Sequence, residues 1–178
     1  MIRAFLHSFA RKMSRRYNYD TTYMHEIIEA SPGAAIALGR LPGFYKYRGP
    51  KAGITVWIGA LLASTLEGDC GPCAQLVVDM ALEKGADAGV LQACAEGRPE
   101  DAGAMGLGFR YARAAISGDL DVDALAREIE GEFGRKALIS CAYAAASGRI
   151  YPVIKRGLGH GKACQRLDFA GKTVKLAA

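Results

Sequence analysis

Cys70-Gly71-Pro72-Cys73 holds the most legible chemistry in this chain. Two thiols three positions apart, at the first turn of a helix, can cycle between dithiol and disulfide. The helix start offers unpaired N–H groups and the positive end of the dipole, which favour thiolate over thiol. The spacing also lets one sulfur attack the other once it is oxidised. Gly68, Asp69 and Gly71 flank the pair, so at least one sulfur is expected to reach solvent.

Other uses of the pair fit less well. A structural zinc site takes four ligands, and one CxxC supplies two. The other cysteines (94, 141 and 164) and the three histidines show no second paired spacing, so no metal is expected. No cofactor motif is present either: Gly157 to Lys162 is glycine-rich but lacks the strand and spacing of a phosphate loop. Thioredoxins carry the same four residues after a strand, whereas a helical pattern precedes them here. The remaining alternative is that both cysteines are inert small hydrophobes.

The elements that must position the pair read as helices. Ile54, Trp57, Ile58, Leu61, Leu62 and Thr65 fall on one face of a helix from about Pro50 to Glu67. Pro72 opens the next helix, running to about Lys84 with Leu76, Val77, Met80 and Ala81 inward. Ile2, Phe5, Leu6, Phe9 and Met13 mark an amphipathic helix over roughly residues 2–16. Asp20 or Thr21 caps a short helix through Glu29, and Ser31-Pro32 starts another that ends near Gly39. Leu41 to Pro50 reads as a loop. Val90, Leu91 and Cys94 share a short helix, and Met105, Phe109, Ala112 and Ile116 line a longer one. Asp121 can cap a helix holding Val122, Leu125 and Ile129. A last helix with Leu138, Cys141, Ala142 and Ala145 begins after Gly134 and continues, bent near Pro152, through Val153 and Leu158. No segment of strand period competes. The expectation is an all-α, single-domain bundle of antiparallel helices over residues 20–165, a basic arm at 1–19 and a loosely held tail at 166–178.

Charge sets the partners. The chain of 178 residues carries a net +5, and Arg3, Arg11, Lys12, Arg15 and Arg16 all precede the first acid, Asp20. The arm therefore holds the whole excess. Membrane-surface contact by the arm is one use of it; packing on its own body or on a partner subunit is the other. No nucleic acid is expected: Phe44, Tyr45 and Tyr47 with Lys46 and Arg48 interleave aromatics and bases, but read as a packed loop. No apolar stretch spans a bilayer without interruption, and no secretory signal is evident. The expected location is cytoplasmic, where five cysteines make no disulfide framework.

The helix–GDCGPC–helix unit, followed by ALEKGAD and a short helix, resembles the carboxymuconolactone decarboxylase-like superfamily. In motif it is most similar to the alkylhydroperoxidase (AhpD-like) branch, over roughly residues 50–95. That resemblance implies an all-α homo-oligomer that reduces hydroperoxides and is recharged by a thiol or dithiol reductant protein. It implies that Cys73 attacks and Cys70 resolves. The motif also has a His four residues after the second cysteine and a Glu twelve before the first. Val77 and Ile58 stand there, so the family's proton relay is missing. Glu67, Asp69, Asp79 and His25 are the candidate substitutes. Three readings follow: a thiol–disulfide redox protein, a non-catalytic oligomeric module of the same fold, and a decarboxylase or lactone-processing enzyme of the parent family.

Overall fold

The computed structural model describes residues 1–161 and 166–175. The helices are α1 (Ile2–Tyr17), α2 (Thr22–Ala30), α3 (Pro32–Tyr45), α4 (Ile54–Glu67), α5 (Gly71–Leu82), α6 (Ala88–Ala95), α7 (Gly103–Ser117), α8 (Val122–Phe133), α9 (Arg135–Ser147) and α10 (Ile150–Gly157). Strands β1 (Arg166–Phe169) and β2 (Lys172–Lys175) follow as one antiparallel hairpin. The fold is all-α apart from that hairpin.

The bundle is built around α4. Its sequence suggests one apolar face, yet it is buried almost all round from Val56 to Thr65. The reason is close backbone approach. A Cβ at Gly59 would overlap the Met105 carbonyl, and one at Gly108 would overlap the Val56 carbonyl. Glycine on both sides lets α4 and α7 meet without side chains between them. On another side, the Ser64 hydroxyl donates to the Ala145 carbonyl at 2.6 Å and draws α9 in.

Helix α3 runs through the stretch expected to be a loop, as far as Tyr45. Pro42 lies inside it and has no N–H for the Leu38 carbonyl. The Tyr151 hydroxyl donates to that carbonyl at 3.4 Å. A partner 113 residues away in sequence satisfies the orphan acceptor, and nothing local announces it.

Helix α10 turns a proline and a lysine inward. Val153 and Leu158 are exposed, while Pro152 and Lys155 are buried. The helical run breaks at Gly148 and Arg149 rather than bending at Pro152. By length and composition, Arg135–Gly157 is the one run among the described residues suited to crossing a membrane, and half of its apolar window is buried within the fold.

The residues after 165 are not a loose tail through Lys175. Ala170 and Gly171, both at positive φ, make the tight turn that joins β1 to β2. Leu167 and Phe169 point into the core. The Gln75 amide of α5 bonds both backbone groups of Asp168, donating to its carbonyl at 2.9 Å and accepting from its N–H at 2.8 Å. Arg-Leu-Asp-Phe alternates as a half-buried strand should, but four residues are too few to stand out. Phe169→Ala is expected to cost about 3–5 kcal/mol in a denaturant titration. A cost under about 1 kcal/mol would mean that the hairpin is not docked.

Candidate active site: a covered dithiol on a cavity wall

Gly68 and Asp69 end α4, and Asp69 takes the left-handed conformation at φ 47°. Cys70 is the extended N-cap of α5, and Cys73 is its third residue. An N-cap side chain leans toward the third helical residue, so CxxC across a helix start brings the sulfurs together. The Cys70 thiol donates to the Cys73 sulfur at 2.8 Å. Closing a bond of about 2.05 Å asks for a small side-chain rotation.

Neither sulfur faces bulk solvent. Cys70 is 1% exposed and Cys73 5%. The flanking glycines do not open the turn because other elements cover it. Pro152 of α10 sits where a Cβ of Gly68 would be, and Arg156 donates to the Gly68 carbonyl. Tyr19, between α1 and α2, and Tyr23 of α2 cluster with the two cysteines, with Met13, Tyr17 and Met24 behind them.

Cys73 faces a cavity of about 470 Å³ instead. Ile58 and Val77 share that wall, as do Trp57, Leu61, Leu76 and Met80. The two aliphatics at the motif's Glu and His positions thus line the same space as the sulfur. None of the four candidate substitutes is its partner. Glu67 and Asp69 are exposed, the Asp79 carboxylate accepts from Gln75 at 2.8 Å, and His25 bonds His7.

The polar groups at the sulfur are ones that sequence spacing missed. The Tyr19 hydroxyl lies 3.5 Å from the Cys73 sulfur. Tyr23 meets the Tyr19 ring edge-on at 6.5 Å, and its own hydroxyl is buried without a hydrogen bond among the described residues. The Lys155 Nζ sits 4.6 Å from the Tyr19 ring centre and 5.2 Å from that of Tyr23. This lysine is 1% exposed, and no carboxylate among the described residues lies within 4.0 Å of it. Two phenol faces hold its charge by cation–π attraction. The signal was a lysine in helical phase with Tyr151 and Pro152 on an otherwise apolar face.

These surroundings set the resting state. The hydrogen bond from Cys70, then burial, raises the Cys73 thiol above its ordinary value, while the Tyr19 hydroxyl and the Lys155 charge pull it down. The balance is upward, against the thiolate expected from a helix start alone. Burial drives both Tyr19 and Tyr23 upward too, so they are hydrogen-bond donors rather than acids. Burial pushes Cys94 and Cys141 up to about 12 in the apolar core, away from the cavity. Cys164 and Lys162 lie outside the described residues.

The arm is fastened over this site. His7 Nδ1 and His25 Nδ1 are 2.6 Å apart, with the rings stacked at 4.9 Å. His7 Nε2 is 2.6 Å from the Glu29 carboxylate. With both rings neutral, His7 donates to Glu29 and accepts from His25. Burial first, then His7 and Arg11, lowers the His25 pKa, with Glu29 opposing. A folded value below the unfolded one means that the unfolded chain binds more protons as pH falls below about 6.5. Stability is therefore expected to drop from about pH 7 to about pH 5, and His25→Gln to remove that part of the drop in thermal melts. A parent protein whose melting temperature is flat over this range would refute the clasp.

Comparison with models of protein families, with curated proteins and with solved structures finds no match to the chain. The site's chemistry is the guide to its function.

Proposed function

We propose that the chain is a thiol–disulfide redox protein in which Cys73 reduces hydroperoxides that enter the cavity and Cys70 closes the disulfide. The observation that carries this reading is a sulfur pair 2.8 Å apart with only Cys73 on the cavity wall. The resemblance of its turn to that of alkylhydroperoxidases supports the same assignment of attacker and resolver. Tyr19 and Lys155 take the place of the missing relay. In the first step the Cys73 sulfur takes the distal hydroperoxide oxygen and the O–O bond breaks. The Cys73 proton passes to the departing alkoxide, while the Tyr19 hydroxyl donates to the sulfur. The Cys70 sulfur then displaces the sulfenic hydroxyl, which leaves as water with the Cys70 proton. One hydroperoxide becomes alcohol and water, and one dithiol becomes a disulfide. A dithiol reductant protein returns the electrons, which requires the α1–α2 cover to lift. A dithiol at rest suits the cytoplasm.

A brief pulse of cumene hydroperoxide followed by mass spectrometry tests this. Wild type should lose two hydrogens, Cys70→Ser should gain one oxygen on Cys73, and Cys73→Ser should stay unchanged. Equal behaviour of wild type and Cys73→Ser removes the enzymatic reading. The alternative, a non-catalytic oligomeric module, draws on the enclosed sulfurs and on Ile2, Phe5 and Phe9, exposed along α1. Light scattering would then report an oligomer with an inert dithiol.

A further inference from the structure

The cavity carries a second feature that the sulfur chemistry does not use. Its interior is apolar, but one side is ringed by cations: Lys12 and Arg16 from α1, Lys46 and Arg48 after α3, and Lys84 after α5. No carboxylate lines it among the described residues. Glu83, next to Lys84 in sequence, is engaged by Arg16 at 3.0 Å and by the Tyr17 hydroxyl at 2.9 Å. Arg48 lies over the Trp57 ring at 5.1 Å, and its Nε is buried without a hydrogen bond among the described residues. An unmet guanidinium N–H among like charges is costly unless an anion joins it. Burial, then the charges of Arg48, Lys46 and Arg16, lowers the Lys84 pKa, with Glu83 opposing, so these cations share one region.

We infer that the cavity binds a long-chain carboxylate, with its acid group at the Lys46–Arg48–Lys84 side and its hydrocarbon chain along the apolar wall. The volume suits such a ligand: pockets for small molecules span roughly 300–1,000 Å³ and are mostly apolar with a few placed polar groups. The cations are spread over three separate elements and converge only in the fold. Binding asks nothing of the sulfurs, so this inference stands apart from the redox reading.

The chain holds a single tryptophan, and it is Trp57 on the cavity wall. A dodecanoate brominated near its carboxyl end, used below its micelle-forming concentration, should quench that fluorescence, because Arg48 and Trp57 adjoin. Unlabelled dodecanoate should displace it, and dodecanol should do so at least tenfold less well. Lys46→Gln with Lys84→Gln, both at exposed positions, should weaken dodecanoate at least tenfold and leave dodecanol unchanged. Absence of quenching, equal affinity for acid and alcohol, or indifference of the double variant would overturn the assignment. So would co-sedimentation with phosphatidylglycerol vesicles in the absence of free-acid binding, which would assign the cations to a membrane surface.

Discussion

Replacing Lys155 by methionine is expected to slow hydroperoxide-driven disulfide formation several-fold and to leave the protein at least as stable. The two effects have separate causes. The lysine charge lies over the Tyr19 and Tyr23 rings and pulls the Cys73 pKa down against the Cys70 hydrogen bond and burial. An opposite charge near a thiol favours its thiolate, and here that pull is the smallest of the named influences on Cys73. Each lost unit lowers the thiolate fraction tenfold, but the stronger base is the better nucleophile and recovers about 40–50% of that loss on a logarithmic scale. Stability moves the other way. A buried charge with no carboxylate partner among the described residues is expensive, and methionine of similar length fills the same space without desolvating an ammonium. The lost cation–π attraction, up to about 2 kcal/mol, offsets part of that gain. Thiol titration after timed peroxide exposure, beside a urea melt, measures both. A variant oxidised as fast as wild type would remove Lys155 from the chemistry.

Gly108→Val is expected to abolish folding. A Cβ there would lie on the Val56 carbonyl, which is backbone and cannot rotate aside. Ordinary overpacking costs about 1–3 kcal/mol because side chains shift. Here α4 and α7 must separate, and α4 also carries the contacts to α9. The loss should approach the entire stability of a domain, about 5–15 kcal/mol. Circular dichroism and soluble yield would show it. Gly131→Val on exposed α8, where a Cβ meets nothing within 4 Å, is the control and should fold. Folded, dimension-preserving Gly108→Val would mean that the crossing is not in backbone contact.

Much of this architecture could be read one helix at a time. The i, i+3, i+4 spacing in α4, the Ser31-Pro32 start of α3 and the Asp121 boundary of α8 are local signals, and local physics answers them. Where the reading failed, the deciding partner was distant in sequence. Helix α3 outlasts Pro42 because Tyr151 serves the Leu38 carbonyl. The hairpin holds because Gln75 mimics a neighbouring strand for Asp168. The dithiol turn looked open because its flanking residues are small, yet α10, Tyr19 and Tyr23 close over it.

The site divides along the same line. Sequence alone determined that Cys70 and Cys73 meet, since an N-cap and the third residue of its helix are neighbours by helical geometry. It determined too that Ile58 and Val77 cannot move protons, since aliphatic side chains carry none to give. Only the tertiary structure decided what does surround the sulfurs: two phenols from the stretch leading into and opening α2, a lysine from α10, an apolar cavity, and a cationic rim drawn from α1 and the ends of α3 and α5. Those groups act through space over a few ångströms. Proximity of that kind depends on how helices cross, and no local stretch of chain records it.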